Sequence, residues 1–260
     1  MKLKDKVIWV TGASSGIGEA LARALAKDNK VIISARREEV LNELQKELGD
    51  NVKVLPLDLG DIDSLEAKTE AALKLFGSID LLINNGGISQ RSLAAKTSVA
   101  VDKKLMEVNY LGTVALTKAL LPYFQERKQG NIAVVTSLVG KFGTPYRSGY
   151  AASKHALHGF FDSLRAEVYQ DNIRITMVCP GFIKTNVSVN ALTEDGSNLN
   201  QMDDAQANGM PADVFARKMI RAIENGKEEV NIGGKEVYGV YLKRFLPSLF
   251  NKIVRKAKVR

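Results

Sequence analysis

The sequence predicts a single doubly wound α/β domain, a parallel sheet of about seven strands flanked by helices. Three observations predict it. Short, fully apolar runs alternate with amphipathic stretches from residue 7 to residue 178, the pattern of strands covered by helices on both faces. A glycine-rich turn at 11–18 joins the first apolar run to the first helical stretch. No linker-like segment and no internal repeat divides the 260 residues. One domain is therefore expected over residues 1–236, followed by a tail at 237–260.

The elements read as follows. Residues 7–10 (Val-Ile-Trp-Val) form a first strand, and Ile17, Leu21, Ala24 and Leu25 recur at helical spacing after it. Residues 31–33 form a second strand, followed by a charged helix at 38–48. A third strand (52–57) precedes a helix at 62–76, and a fourth strand lies at 79–83. A long helix falls within 102–125, a fifth strand at 132–136, a further helix at 149–170 and a sixth strand at 173–178. In such a sheet, ligands sit at the carboxyl ends of the strands.

The first turn fits that location. Gly12, Ser14, Ser15, Gly16, Ile17 and Gly18 follow a strand and open a helix. Glycines permit a tight turn and close backbone approach to a pyrophosphate, and the helix N-terminus supplies amide donors. The second strand ends Ser34-Ala35-Arg36-Arg37, with no acid. An acid there would repel a ribose 2′-phosphate, whereas a guanidinium pairs with it. The cofactor expected is NADP(H), with Arg36 as main contact and Arg37 beside it.

Ser137 follows the fifth apolar run, and Tyr150 and Lys154 lie four residues apart, one turn along one helix face. Of seven tyrosines, only Tyr150 has a lysine at that spacing. The set suits proton transfer at a carbonyl or hydroxyl. The lysine cation is expected to lower the phenol pKa, and the serine to donate to the developing oxyanion.

Composition excludes other chemistry. The single cysteine, Cys179, allows no internal disulfide and lacks zinc-site partners, which fits a reducing compartment. His155 and His158 are too few for most metal clusters, so no metal is expected. Charged residues at 25% and hydrophobic ones at 45% describe an ordinary soluble domain. No apolar run is long enough for a signal-peptide core or a membrane span, and a cytoplasmic location is expected. The net charge of +8 does not indicate nucleic acid. After Glu236 there is no acid, and seven cations (Lys243, Arg244, Lys252, Arg255, Lys256, Lys258, Arg260) account for all but one of that charge.

Together these pieces resemble the short-chain dehydrogenase/reductase family, over roughly residues 5–235. Its Thr-Gly-x-x-x-Gly-x-Gly motif stands intact at 11–18. Its adenine-side acid matches Asp58, followed by Leu59. Its Asn-Asn-Ala-Gly motif appears as Asn84-Asn85-Gly86-Gly87, where glycine in place of alanine is expected to add backbone freedom. Its helix asparagine matches Asn109, and its Ser, Tyr and Lys match Ser137, Tyr150 and Lys154. Its Pro-Gly matches Pro180-Gly181, with Ile183 and Thr185 where the family touches the nicotinamide carboxamide and phosphates. Residues 109–122, 147–155 and 185–191 look closest to the branch of dehydrogenase/reductase members 7 and 7B.

The resemblance implies a Rossmann-type fold and reversible hydride transfer between NADP(H) and a carbonyl/secondary-alcohol pair. By family analogy, Tyr150 and Lys154 also contact the cofactor, and Asn109 holds a water that links Lys154 to solvent. The branch implies a lipophilic substrate, such as a lipid, steroid or retinoid-like ketone. The family implies a homodimer or homotetramer, built on the 102–125 and 149–170 helices. Substrate identity is assigned to 88–97 and to 182–210, a lid over the nicotinamide. Leu138, Val139, Phe142, Tyr146 and Phe182 are candidates for an apolar pocket wall or for ordinary packing. Cys179 reads as a small buried residue at a strand end.

In the tail, Leu242, Phe245, Leu246, Leu249, Phe250, Ile253 and Val254 form an amphipathic stripe, and Pro247 is expected to break or restart the helix. Two readings stand open: the stripe lies peripherally on an anionic membrane, or it docks on the protein's own body or a partner subunit. Three functional rivals also stand: a 3-oxoacyl-thioester reductase, a non-catalytic NADP(H)-binding or sensing protein, and a membrane-surface scaffold in which the tail dominates.

Overall fold

A computed structural model describes residues 2–257. The tail cations Lys258 and Arg260 lie outside the described residues. The first half alternates strand and helix: β1 (Val7–Thr11), α1 (Gly16–Leu25), β2 (Lys30–Ser34), α2 (Glu38–Leu48), β3 (Val52–Val54), α3 (Leu65–Phe76) and β4 (Leu81–Asn84). Then come α4 (Val99–Met106), a π-helical turn (Glu107–Leu111), α5 (Gly112–Glu126), β5 (Gly130–Val135), α6 (Ser148–Glu167) and β6 (Ile173–Pro180). The C-terminal part holds β7 (Ile183–Lys184), α7 (Asp204–Ala207), β8 (Met210–Pro211), α8 (Ala212–Glu224), β9 (Glu229–Ile232), α9 (Tyr238–Phe245) and α10 (Pro247–Val254).

Seven strands form one sheet in the order β3-β2-β1-β4-β5-β6-β9, every adjacent pair parallel. The order reverses between β1 and β4, so their carboxyl ends diverge into a crevice. Alternate strand residues feed two cores. Ile8, Val10, Ile33 and Ile83 meet Leu21, Leu41 and Phe215 from α1, α2 and α8 on one face. Trp9, Ile32, Leu82 and Ile132 meet Leu65, Leu116, Phe124 and Phe161 from α3, α5 and α6 on the other. Each such buried side chain contributes about 1.5–3 kcal/mol.

The single long helix expected within 102–125 is α4 and α5 joined by the π-helical turn that carries Asn109. A widened turn of this kind displaces a side chain from the regular helical path. Pro247 does restart the helix: it stands at the first turn of α10, where its missing N–H costs nothing. A third, smaller core joins the tail to the body. Phe250, Val237, Leu242 and Val254 pack with Leu138, Val139, Phe142 and Cys179, and the Phe142 and Phe250 ring centroids are 5.0 Å apart. Among the described residues no helix is long and apolar enough to cross a membrane.

Candidate active site

The carboxyl ends of the strands open on a cavity of about 1230 Å³. The glycine turn forms one end. Gly12 has φ 67°, and a Cβ there would stand 2.8 Å from Gly86 Cα. Only glycine fits, because the left-handed conformation and the close approach exclude a side chain together. Thr11 ties this turn to the loop after β4: its Oγ1 accepts from the backbone N–H groups of Asn85 and Gly86, each at 3.0 Å. Asn85 Nδ2 donates back to Thr11 O at 2.9 Å. Gly18 faces the Gly12 carbonyl on the first turn of α1.

At Gly86 the expected gain in backbone freedom is not what the structure uses. Gly86 is absent from the residues with positive φ. A Cβ there would instead meet Leu59 Cδ1 at 2.7 Å, so the missing methyl makes room for the Leu59 side chain.

The other residues expected to meet a cofactor border the same cavity: Ser14, Ser15, Gly16, Ile17, Arg36, Arg37, Asp58, Leu59, Gly87, Pro180, Gly181, Ile183 and Thr185. Arg36 is exposed at the end of β2. Arg37 caps α2 and donates to Ser14 Oγ at 3.0 Å and to Ser14 O at 3.2 Å. Asp58 Oδ1 accepts from Gly60 N at 2.9 Å. Thr185 packs against Gly16, and Gln206 donates to both Ile183 O and Thr185 Oγ1. A glycine turn at a helix N-terminus, opening on a cavity of this size, fits a dinucleotide.

Ser137, Tyr150, Lys154 and Asn109 gather at the other end. Ser137 follows β5 in extended conformation and accepts from Val139 N at 3.3 Å. Lys154 is 4% exposed, and its Nζ donates to Val135 O at 3.0 Å. Asn109, fully buried, brackets Ile88: its Oδ1 accepts from Ile88 N at 2.8 Å and its Nδ2 donates to Ile88 O at 2.9 Å. Nδ2 also donates to Ser153 Oγ at 3.0 Å on α6. A Cβ on Gly87 would lie within 2.9 Å of Asn109 Oδ1 and 3.5 Å of Lys154 Nζ, so these groups surround one point.

The electrostatics correct one expectation. The Tyr150 phenol is raised, not lowered: burial dominates, while Ser137, Arg147 and Arg91 pull it back down in that order. Lys154 is not among the groups that lower it. Burial instead pushes the Lys154 ammonium down to about 8, because desolvation disfavours the charged form. Arg147 is pushed down to about 10 by burial and by Arg91. Sequence reasoning missed Arg91 and Arg147, since an arginine buried by tertiary contacts has no signature in spacing.

Leu138, Val139, Phe142 and Phe182 line the cavity, while Tyr146 stands outside its wall. Tail residues Tyr238, Tyr241, Leu242, Phe245 and Phe250 complete the apolar side. Glu236 was also missed: its Oε1 accepts from Phe182 N at 2.9 Å and from Gly234 N at 3.0 Å, fixing the backbone after β6. Cys179 is fully buried, 3.3 Å from Thr136 Oγ1, and its thiol is pushed up to about 12 by burial. It is the inert strand-end residue expected. His155 is exposed, whereas His158 is buried behind the site.

The comparisons with known proteins point one way. A family model described as short chain dehydrogenase matches residues 6–196. A dehydrogenase/reductase SDR family protein 7-like from Anopheles gambiae is 44% identical over 264 residues, covering 98% of this chain and 83% of the relative. Dehydrogenase/reductase SDR family member 7B from Mus musculus is 42% identical over 261 residues, covering 97% and 81%. The crystal structure of a short chain dehydrogenase/reductase from Burkholderia phymatum, in complex with NAD, superposes with a TM-score of 0.85. It is 21% identical and covers 100% of this chain and 98% of that one, a likeness of fold.

Proposed function

The chain belongs to the short-chain dehydrogenase family, and from that premise we propose that it is an NADP(H)-dependent oxidoreductase interconverting a carbonyl and a secondary alcohol on a lipophilic substrate. One observation carries the reading. Ser137, Tyr150 and Lys154 border one end of a cavity whose other end is the glycine turn and whose wall includes an apolar side, with Asn109 buried behind Gly87 beside Lys154.

The cofactor, when bound, supplies or accepts the hydride. The chain does the rest. Gly12, Ser14, Ser15, Gly16, Ile17 and Gly18 hold the pyrophosphate against the N-terminus of α1. Asp58 and Leu59 border the adenine, and Asn85, Gly86 and Gly87 the ribose side. Pro180, Gly181, Ile183 and Thr185 hold the nicotinamide end. Arg36 and Arg37 select the 2′-phosphate, since no acid stands at the end of β2. Ser137 donates to the carbonyl oxygen, Tyr150 gives that oxygen its proton, and Lys154 holds the nicotinamide ribose. Asn109 holds a water that returns the proton from solvent by way of Lys154.

The lipophilic substrate is supported by Leu138, Val139, Phe142 and Phe182 together with the tail residues opposite them. Segment 182–210 serves as the lid. Six of the large hydrophobic side chains exposed among the described residues lie in the tail: Tyr238, Tyr241 and Phe245 on α9, Leu246 at the junction, and Leu249 and Ile253 on α10. With Lys243, Arg244, Lys252 and Arg255 and no acid among them, they suit peripheral contact with an anionic membrane. Pairing of α4–α5 and α6 between copies gives the expected homodimer or homotetramer.

The test is NADPH oxidation across a panel of neutral and thioester-linked ketones. Turnover of lipophilic ketones is expected. Turnover confined to 3-oxoacyl thioesters moves the substrate class to those compounds. Cofactor binding without any turnover leaves a non-catalytic sensor.

A further inference from the structure

Gln90, on the segment after β4, has no part in that mechanism, yet it is fully buried against the start of α6. Its Oε1 accepts from the backbone N–H of Tyr150 at 3.1 Å. Its Nε2 donates to Ser92 Oγ at 3.1 Å, to Thr97 Oγ1 at 3.0 Å and to Ser148 Oγ at 3.4 Å. The direction of the amide follows from its partners: a backbone N–H can only donate, so the oxygen must face Tyr150.

Tyr150 lies in the first turn of α6, where backbone N–H groups have no acceptor within the helix. Helices usually meet this need with a Ser, Thr, Asp or Asn at the cap. Here the cap position holds Arg147, which makes no side-chain cap bond, because a guanidinium has donors only. Gln90 supplies the missing acceptor from 60 residues away. Its own segment is fixed on both sides. Leu192 N donates to Ser89 O at 2.9 Å, and Arg91 N to Leu192 O at 2.8 Å. Arg91 Nε donates to Asp203 Oδ2 at 2.6 Å, both side chains 2% exposed, and Arg147 Nη2 stands 3.6 Å from the same oxygen. Toward α6, Ser92 N donates to Tyr146 O at 3.1 Å. The segment that carries Gln90 is thus held between 182–210 and the start of α6, which keeps the amide in register with the Tyr150 N–H.

We propose that Gln90 is a positioning residue for Tyr150: its amide oxygen caps the first turn of α6 and holds the main chain from which the phenol reaches the substrate oxygen. The proposal rests on Tyr150 being the acid–base group named above. Gln90 is not among the residues that border the cavity, whereas Tyr150 is, so it acts through Tyr150 and not on the substrate. A reacting group moved by a fraction of its reach loses rate without loss of cofactor binding. A supporting hydrogen-bond shell is what prevents such movement.

Amide hydrogen exchange of the full chain reads the contact, and carbonyl reduction reads its consequence. In the wild type the Tyr150 N–H should exchange at least about tenfold more slowly than in an unstructured chain. Gln90→Leu, of similar size but with no acceptor, should remove that protection and leave the exchange of Phe161, further along α6, unchanged. It should also lower kcat about tenfold with the KM for NADPH unchanged. Gln90→Glu, which keeps an oxygen toward the Tyr150 N–H, should restore both. Protection or kcat unchanged in Gln90→Leu, or no recovery in Gln90→Glu, would overturn the proposal. Exchange quickened all along α6 would also overturn it, because that marks loosened packing. Where Gln90→Leu does not fold, an unprotected Tyr150 N–H in the wild type or in Gln90→Glu overturns it alone. Where the wild type reduces no carbonyl, local loss in Gln90→Leu with recovery in Gln90→Glu supports the placement of Tyr150 by Gln90, and the oxidoreductase reading is what fails.

Discussion

The Lys154 ammonium stands 5.8 Å from the centroid of the Tyr150 ring, one helical turn away, and is held there by its 3.0 Å bond to Val135 O. The lysine is thereby anchored to the end of β5, and a hydrogen bond to Ser137 pulls the Tyr150 phenol back down against the rise that burial causes. Tyr150→Phe keeps the ring and its packing but removes the proton. Carbonyl reduction, followed as NADPH oxidation, should fall by about 10²–10⁴-fold in kcat/KM. Near wild-type turnover would reject Tyr150 as the acid.

If the chain prefers NADP(H) as proposed, Arg36 should matter more than Arg37, because Arg37 is already bonded to Ser14. Arg36→Ala should weaken NADPH binding about tenfold or more while leaving NADH nearly unchanged, the loss of one charge-assisted contact worth ~1.5 kcal/mol. Fluorescence titration with both nucleotides checks this. Equal weakening of the two would show that Arg36 does not read the 2′-phosphate.

Stability should fall on mild acidification because of His158. Burial first, and Lys141 next, push its pKa from 6.5 down to about 4. The unfolded chain therefore binds this proton more readily between those values. The stabilising contribution is complete above about 6.5 and is lost as pH falls toward about 4, a change of up to about 3 kcal/mol. Chemical denaturation across this window should show the slope in the wild type and a flatter one in His158→Gln. Parallel slopes would assign the acid sensitivity to other groups.

The two faces of the tail should separate experimentally. Phe250 is 6% exposed and packs on Phe142, whereas Phe245 is 73% exposed. Phe245→Ser should leave the thermal midpoint nearly unchanged and reduce binding to anionic vesicles. Truncation after Glu236 should abolish vesicle binding and also destabilise the fold by uncovering Phe142. Vesicle binding that survives the truncation would end the membrane reading.

Much of this was legible beforehand. Strands buried on both faces must be apolar throughout, so β1, β2, β4 and β5 announce themselves as Val/Ile/Leu runs. The glycine turn is legible because Gly12 occupies a conformation closed to other residues. Pro247 is legible because a missing N–H limits where a helix can start. By contrast, the π-helical turn that carries Asn109 depends on how α4 and α5 pack, and periodicity saw only one long helix.

The sequence by itself determined the sheet, the phosphate turn and the identities of Ser137, Tyr150 and Lys154, because periodicity and backbone sterics are local. Only the tertiary structure decided the charge state of the site. Arg91, Arg147 and Asp203 follow one another at intervals of 56 residues along the chain and meet only when it is folded. Proton affinity there depends on burial and on the sum of nearby charges. Both are properties of neighbours in space, which spacing along the chain does not encode.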